Sequence, residues 1–235
     1  MRLYLRGLSE GAEGKPELKE DAVETAIERT IQVQSGAARL EGMLGVPEGA
    51  KGVVLFAHGS GSGRFSPRNQ FVARVLREGG IGTLLIDLLE EWESDDRSKV
   101  FDIDLLAERL LSATEWLEKD PQTKSACIGY FGASTGAAAA LEAAAKEDSR
   151  IKAIVSRGGR PDLAMDYLAR VTAPTLLIVG GNDWPVISMN QQAYDALPGI
   201  KEMVIVPGAT HLFEEPGALE EVARLARDWF SKYLT

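Results

Sequence analysis

The hydrophobic positions of the chain follow two different patterns, which change over near residue 50. Before that point, residues 28–34 ("ERTIQVQ") alternate apolar and polar side chains, and residues 39–47 ("RLEGMLGVP") predict a partner strand. Alternation with a period of two is typical of a strand with one face in water. Because Ser35 and Gly36 predict a turn between the two runs, this part of the chain is expected to form a strand pair that is antiparallel.

Beyond residue 50, short continuous apolar runs take turns with segments of helical periodicity. Runs such as "GVVLFAH", "IGTLLIDL" and "TLLIVGG" are expected for strands that are covered on both faces. Segments such as "FDIDLLAERLLSATEWLEKD" carry apolar residues at the spacing of an amphipathic helix. Strands that alternate with helices predict an α/β fold: a mainly parallel sheet of about eight strands with helices on both faces.

The first 21 residues differ from the rest in being rich in Gly, Glu and Lys. We predict that residues 1–21 form a peripheral segment, in which "LYLRGL" could add an edge strand. The chain has no internal repeat and no linker composition beyond this segment. Residues 22–235 are therefore predicted to form a single α/β domain, a size that suits one larger domain.

The first candidate for chemistry follows the strand "CIGYF". Open sheets of this kind bind ligands at the carboxyl ends of their strands, and "GASTG" stands there, directly before a helix. G-x-S-x-G between a strand and a helix is the context of a nucleophile elbow, whose sharp turn exposes the serine hydroxyl. Gly132 and Gly136 would leave room where side chains collide. The alternative is an ordinary turn with a serine cap; we predict that Ser134 is a nucleophile.

A serine hydroxyl needs a base, and the chain has two histidines. His211 follows the last predicted strand in "VPGATHLF", where this architecture places its base, whereas His58 is a weaker candidate whose expected role is to brace a loop. Asp183, in "GGNDWPV" after the penultimate strand, is predicted to fix the tautomer of His211. Two other aspartates that follow strands are weaker rivals for that role: Asp87 and Asp162.

The glycine-rich loop "AHGSGSGR" at residues 57–64 has two interpretations. It could bind phosphate, but a Walker loop needs a lysine followed by Ser or Thr, and the dinucleotide fingerprint needs a third glycine that is missing here. The second interpretation is an oxyanion loop, which follows an early strand in hydrolases with a nucleophile elbow. We predict that the backbone N–H groups of Ser60 and Thr135 are the oxyanion donors, the first being assigned only to within residues 59–61.

Four motifs in this order, "AHGSGSG", "GASTG", "GGNDWPV" and "GATHLF", resemble the α/β-hydrolase superfamily and, more narrowly, its dienelactone-hydrolase-like group. The resemblance covers residues 28–235. It implies a carboxylesterase-type serine hydrolase that cleaves small esters through Ser134, Asp183 and His211, with a covalent acyl-enzyme and with no metal or cofactor. Dienelactone hydrolases proper carry a cysteine at the elbow, so Ser134 favours a general carboxylesterase.

The remaining sequence features bear on the substrate. Residues 157–174 occupy the usual place of a lid and are short, so no lid domain and an open site are predicted. Three residues near the motifs are candidate substrate contacts: Arg64, Trp184 and Phe213. Arg64, Arg157 and Arg160 all follow strands and could hold a substrate carboxylate, although solvated surface positions are the stronger expectation. The acidic stretch "EEWESDDRSK" at residues 90–99 is predicted to be a solvated connection.

Composition narrows the functional classes. A formal net charge of -9 argues against broad binding to nucleic acid, which needs a basic surface. Cys127 is the only cysteine, which excludes an intramolecular disulfide, and we expect it to be a buried, inert thiol. No stretch reaches the length of a membrane span, so no membrane partner and a cytoplasmic location are predicted. The partner that the resemblance implies is a small-molecule ester. A homodimer, another acyl-chemistry activity (lactone or thioester hydrolysis, acyl transfer) and a non-catalytic binding protein stay open.

Overall fold

A computed structural model describes residues 28–147 and 150–235, and the predicted peripheral segment 1–21 lies outside the described residues. The strands are β1 Glu28–Ser35, β2 Ala38–Gly45, β3 Gly52–Ala57, β4 Gly82–Ile86, β5 Cys127–Ala133, β6 Ile151–Arg157, β7 Thr175–Gly180 and β8 Lys201–Val206. The helices are α1 Pro67–Glu78, α2 Arg97–Val100, α3 Ile103–Lys119, α4 Thr135–Lys146, α5 Met165–Leu168, α6 Trp184–Ala196 and α7 Ala218–Tyr233. Two single 3-10 turns complete the described elements: Glu91–Glu93 and Pro161–Ala164.

The eight strands form one sheet in the order β1-β2-β4-β3-β5-β6-β7-β8, which confirms the predicted fold class. β1 and β2 are antiparallel and are joined through Gly36, which has a φ of +58° that a residue without Cβ adopts without strain. β2 also runs antiparallel to β4, and every pair from β4 to β8 is parallel. The carboxyl ends of β3, β5, β6, β7 and β8 therefore meet at one edge of the sheet.

Helices cover both faces of the sheet, as the sequence predicts. One apolar layer joins α1 and α7 to the strands through residues such as Val72, Leu76, Val222 and Phe230. The other layer joins α3, α4, α5 and α6, and its largest contribution comes from the apolar stripe of α3 and from the alanines of α4. Burial of this apolar area, worth roughly 25 cal/mol per Å², is the main stabilising term of such a fold.

No lid domain lies between β6 and β7, where only a 3-10 turn and the four-residue helix α5 occur. Residues 90–101, between β4 and α3, are named the cap segment here, because several of them line cavities at this edge of the sheet. The prediction that the acidic stretch of this segment is solvated is wrong for Glu93, which is 3 % exposed. Its carboxylate accepts hydrogen bonds from Arg109 Nη1 at 2.5 Å, Arg109 Nη2 at 2.9 Å and Lys99 Nζ at 2.7 Å. The cap segment is therefore fixed to α3 by a buried ion pair.

None of the helices in the described parts of the chain combines the length and the apolar character that a membrane crossing needs.

Candidate active site

Ser134 occupies a strained turn between β5 and α4. Its backbone has φ +50° and ψ -121°, a region that residues with a side chain rarely adopt and that costs on the order of 1–3 kcal/mol. Three hydrogen bonds hold the turn: Ser134 N–H donates to Arg157 O at 3.3 Å, and Ser134 O accepts from Arg160 N–H at 3.0 Å and from Ala137 N–H at 3.1 Å. The strand–turn–helix context that the sequence predicts for the serine is thus present.

Three glycines allow this turn to pack. A Cβ on Gly132 would lie 2.4 Å from the Ala137 Cα, and one on Gly136 would lie 2.1 Å from the Ala57 carbonyl oxygen. A Cβ on Gly59 would lie 2.9 Å from the Ser134 Cβ. Backbone atoms cannot give way to such contacts, so only glycine lets α4 and the loop after β3 approach the serine.

His211 and Asp183 form a hydrogen-bonded pair at the same edge of the sheet. The distance from His211 Nδ1 to Asp183 Oδ2 is 2.7 Å, and the side chains are 39 % and 13 % exposed. Since an ionised carboxylate only accepts, Nδ1 is the donor in this pair, and in the neutral form of the imidazole Nε2 is then the acceptor. The loops that carry the pair are clipped together, because Asn182 donates to Ala209 O and Gly208 O, each at 2.9 Å.

The end of β6 brings Ser134 and His211 to neighbouring positions. Arg157, the last residue of β6, accepts the hydrogen bond of the Ser134 N–H. Gly158 follows, and a Cβ there would lie 3.2 Å from His211 O and 3.5 Å from His211 Nδ1. The predicted nucleophile and the predicted base therefore border the same two consecutive residues, Arg157 and Gly158.

His58 is buried, and both of its ring nitrogens are engaged. Leu88 N–H donates to Nε2 at 3.0 Å, so Nδ1 carries the proton and donates to Gly59 O, with 3.0 Å between Nδ1 and the oxygen. Burial lowers the pKa of His58, which keeps the ring neutral. The ring thus joins the loop after β3 to the loop after β4, and both of its nitrogens are occupied by these hydrogen bonds. The rival aspartates are also engaged: Asp87 with Arg64, and Asp162 with Arg160.

The predicted oxyanion donors lie against each other. Ser60 N–H donates to Thr135 Oγ1 at 3.1 Å, so a bound oxyanion would compete with that hydroxyl for the Ser60 donor. Thr135 is the first residue of α4, and the first N–H groups of a helix have no partner within the helix. The positive end of the helix dipole also favours negative charge at this point.

Two adjoining cavities open beside these donors. The smaller, of about 300 Å³, is lined by Ser60 and Thr135 and by the apolar side chains of Leu89, Val100 and Leu106. The larger, of about 830 Å³, shares the His58 loop with it. The larger cavity is bordered by two aromatic side chains and by several charged ones, among them Phe65, Trp92, Arg39, Glu41, Arg64 and Arg68.

The structure places the three candidate substrate contacts in different environments. Arg64 lines the larger cavity, but its guanidinium forms ion pairs with Asp87 and Glu41. Trp184 is 74 % exposed at the start of α6, directly after Asp183. Phe213 is 1 % exposed and packs in the apolar layer of α1 and α7. Of the three, Trp184 and Arg64 border open space, and their contact with a substrate stays a prediction.

Two expectations about single residues are wrong. Arg157 is not at the solvated surface, because only 8 % of the residue is exposed. The signal was available, since Arg157 shares the alternation of Ala153 and Val155 and so extends towards the α1 and α7 layer. Cys127 is only partly buried, at the amino end of β5.

In residues 28–147 and 150–235, no group of three or more His, Cys, Asp or Glu side chains is arranged to hold a metal ion.

Comparisons with known proteins agree with this architecture. The family model described as "Dienelactone hydrolase family" matches residues 40–234. A crystal structure of dienelactone hydrolase from Anabaena variabilis is 55 % identical, with a TM-score of 0.87 over 90 % of this chain and 100 % of that one. Est1E from Butyrivibrio proteoclasticus is 17 % identical, with a TM-score of 0.75 over 86 % and 98 % of the two chains, and so shares the fold.

Curated relatives from two strains of Mycobacterium tuberculosis bear the name "Putative phosphoribosyl transferase". They are 57 % identical to this chain over 204 residues, which is 87 % of this chain. The match covers 46 % of their length, so the chain spans about half of these relatives. The family model covers most of the chain, and the Anabaena protein aligns with 90 % of the chain at 55 % identity. The chain therefore belongs to the dienelactone hydrolase family, a group of α/β-hydrolases.

Proposed function

We propose that this protein hydrolyses small carboxylic esters, with Ser134 as nucleophile, His211 as general base and Asp183 as the residue that orients His211. The observation that carries the proposal is the 2.7 Å hydrogen bond between Asp183 and His211 beside a serine held at φ +50°. A hydroxyl in a strained turn next to an oriented imidazole is the arrangement that nucleophilic acyl transfer needs.

The proposed reaction has two halves. Ser134 Oγ attacks the ester carbonyl while its proton passes to His211 Nε2, and the oxyanion that forms is stabilised by the N–H groups of Thr135 and Ser60. The tetrahedral intermediate collapses, the C–O bond to the alcohol breaks, and the imidazolium returns the proton to the leaving alkoxide oxygen. Water then attacks the acyl-enzyme by the same proton route, which releases the carboxylic acid and restores Ser134.

The smaller cavity supports a limit on the acyl group. Its volume of about 300 Å³ and its lining by Leu89, Val100 and Leu106 suit a short apolar acyl chain beside the oxyanion donors. The cap segment, which carries Val100, is fixed by the buried pair of Glu93 and Arg109. We therefore expect short-chain esters to react faster than long-chain esters.

The relatives suggest two further activities. A relative that is 55 % identical is called a dienelactone hydrolase, which makes hydrolysis of a lactone by the same residues the second candidate. The name "Putative phosphoribosyl transferase" belongs to proteins of which this chain matches 46 %. We do not extend that activity to this chain, because more than half of the length of those proteins lies outside the match and the residues at the strand ends of this chain support acyl chemistry.

The test compares wild type with Ser134→Ala on p-nitrophenyl esters from acetate to dodecanoate. We expect kcat to fall by roughly 10⁴–10⁶ in the variant, since removal of a triad nucleophile has effects of this size. A fluorophosphonate should add its mass to wild type and not to Ser134→Ala. The matched control is Ser188→Ala, an exposed serine on α6. Retained hydrolysis and labelling in Ser134→Ala would refute the proposal, and rates that rise steadily to dodecanoate would refute the small acyl pocket.

A further inference from the structure

One short segment holds the turn of Ser134 from two sides. The N–H group of Ser134 donates to Arg157 O at 3.3 Å, and Ser134 O accepts from the N–H group of Arg160 at 3.0 Å. We name residues 157–160 the clamp segment. Because Ser134 has a φ of +50°, which a residue with a side chain keeps only when its surroundings impose it, the position of the serine depends on the clamp segment.

The middle of the clamp segment is bound by a buried side chain of α6. Asn190 is 0 % exposed, and its Nδ2 donates to Gly159 O at 3.0 Å and to Val186 O at 2.8 Å. These two acceptors use both hydrogens of the amide. They also fix its orientation, because a reversed amide would point Oδ1 at two carbonyl oxygens. Asn190 therefore contacts the clamp segment as a donor.

The hydrogen bond from Asn190 and the one to Ser134 share a single peptide group. The carbonyl of Gly159 and the N–H of Arg160 belong to one planar trans peptide, in which the two groups point in opposite directions. Asn190 binds the carbonyl on one side of this peptide, and Ser134 O binds the N–H on the other side. Rotation of the plane would break both hydrogen bonds, so Asn190 sets the direction in which the N–H faces the serine.

The clamp segment is also packed tightly against the helix that follows Ser134. A Cβ on Gly159 would lie 2.0 Å from Ser156 Oγ and 2.7 Å from Ala137 Cβ, and Ala137 belongs to α4. On the other side, α6 begins at Trp184, directly after Asp183. The helix that presents the amide to the clamp segment is thus the helix whose amino end carries the partner of His211.

Stability alone does not explain an amide at position 190. Its Oδ1 is buried, and no described residue donates a hydrogen bond to it, which is unfavourable for the folded state. The neighbouring buried positions of α6 are apolar, at Val186 and Ala193. An apolar side chain at 190 would fill the same place without an unpaired oxygen, so the amide is better explained by the peptide that it holds.

We propose that Asn190 is a positioning residue for ester hydrolysis, which holds the peptide between Gly159 and Arg160 and, through it, the backbone of Ser134 in the conformation for attack. The inference rests on the proposed function, because the position of Ser134 affects the rate only if Ser134 is the nucleophile. A misplaced reacting group lowers the rate of the chemical step by up to roughly 100-fold, while the cavities that bind the ester stay the same.

The first test is Asn190→Leu, whose side chain has a similar size and no donor. We expect kcat for p-nitrophenyl acetate to fall by roughly 10–100-fold and KM to change by less than about threefold. The rate constant for labelling by a fluorophosphonate should fall by the same factor as kcat, because labelling uses the same hydroxyl. The matched control is Ala193→Gly, which weakens α6 three residues further along and keeps the amide and both of its acceptors. Its kcat should stay within about twofold of wild type.

The second test, Asn190→Asp, separates the donor from the shape of the side chain. An ionised carboxylate only accepts, whereas a protonated carboxyl can donate its one hydrogen to Gly159 O. Burial favours the protonated form as the pH falls. The kcat of Asn190→Asp relative to wild type should therefore rise by roughly threefold or more from about pH 8 to about pH 5. The same ratio for Ala193→Gly should stay constant.

Three outcomes would overturn the inference. A kcat for Asn190→Leu within about twofold of wild type, where Ser134→Ala is inactive, would overturn it and leave the proposed function standing. A fall in kcat that Ala193→Gly shares equally would do the same. If Asn190→Leu does not fold, a pH-independent ratio for Asn190→Asp overturns the inference. Hydrolysis retained by Ser134→Ala would refute the proposed function and this inference together.

Discussion

Two buried arginines, Arg109 and Arg157, have opposite surroundings. Arg109 is 5 % exposed and donates two hydrogen bonds to Glu93 and one, at 2.8 Å, to Leu88 O. Arg157 is 8 % exposed, and no described residue accepts a hydrogen bond from its Nε or Nη1. Both side chains have lost most of their hydration, but among the described residues only Arg109 has a carboxylate partner. The difference separates a charge that holds two elements together from one that the described residues leave unpaired.

The compensated arginine also contributes to the geometry of the site. Arg109 fixes Glu93 and the carbonyl group of Leu88, and the N–H group of Leu88 holds the ring of His58. His58 in turn contacts the carbonyl of Gly59, whose backbone lies against Ser134. A continuous set of hydrogen bonds thus runs from α3 to the predicted oxyanion loop, whereas Arg157 is linked to the site only through its backbone.

The largest expected effect comes from breaking the compensated pair. Glu93→Ala leaves Arg109 buried without its carboxylate, so the free energy of unfolding should fall by about 3–5 kcal/mol. Urea unfolding followed by circular dichroism measures the change. The control is Glu91→Ala, an exposed glutamate in the same 3-10 turn, which should stay within about 0.5 kcal/mol of wild type. A loss below 1 kcal/mol in Glu93→Ala would contradict the structural role of the pair.

The same pair predicts a pH dependence that Arg157 cannot produce. The hydrogen bonds from Arg109 lower the pKa of Glu93 from 4.5 to about 2, despite the opposing effect of burial. A depressed carboxyl pKa stabilises the fold above the unfolded value of 4.5, and this stabilisation is lost as the pH falls towards 2. The advantage of wild type over Glu93→Gln in unfolding free energy should therefore shrink by about 3 kcal/mol from pH 5 to pH 2. Parallel curves for the two proteins would argue against the assignment.

The smallest expected effect comes from removing the uncompensated charge. Arg157→Met replaces a buried cation by an apolar side chain of similar length, which is often neutral or stabilising in proteins. The unfolding free energy should rise or change by less than about 1 kcal/mol, as measured by urea unfolding. A loss of more than 3 kcal/mol would mean that Arg157 has a structural partner after all, and the comparison with Arg109 would fail.

The local patterns of the sequence predict the elements and the order of the site motifs well. "GASTG" between an apolar run and an alanine-rich helix predicts the turn at Ser134, because only glycine fits the contacts at 132 and 136. The loops after the last two parallel strands predict that Asp183 and His211 lie at one edge, and the structure places them 2.7 Å apart. These features depend on short-range sterics and on the periodicity of neighbouring residues, which a sequence records directly.

The sequence could not predict which charged side chains form ion pairs with one another. The stretch "EEWESDDRSK" is acidic throughout, and nothing in it distinguishes Glu93, which is buried against Arg109 from another helix, from its exposed neighbours. Arg64, Arg157 and Arg160 all follow strands, yet Arg64 and Arg160 are paired with carboxylates and Arg157 is not.

The sequence by itself determined the α/β sheet, its glycine turns and the family, because these follow from residues that are close in the chain. The tertiary structure alone decided which buried charge is paired with a carboxylate and which is left unpaired among the residues that the structure describes. Coulombic pairing depends on the distance and the solvent access between side chains of different elements, and those quantities exist only once the elements have packed.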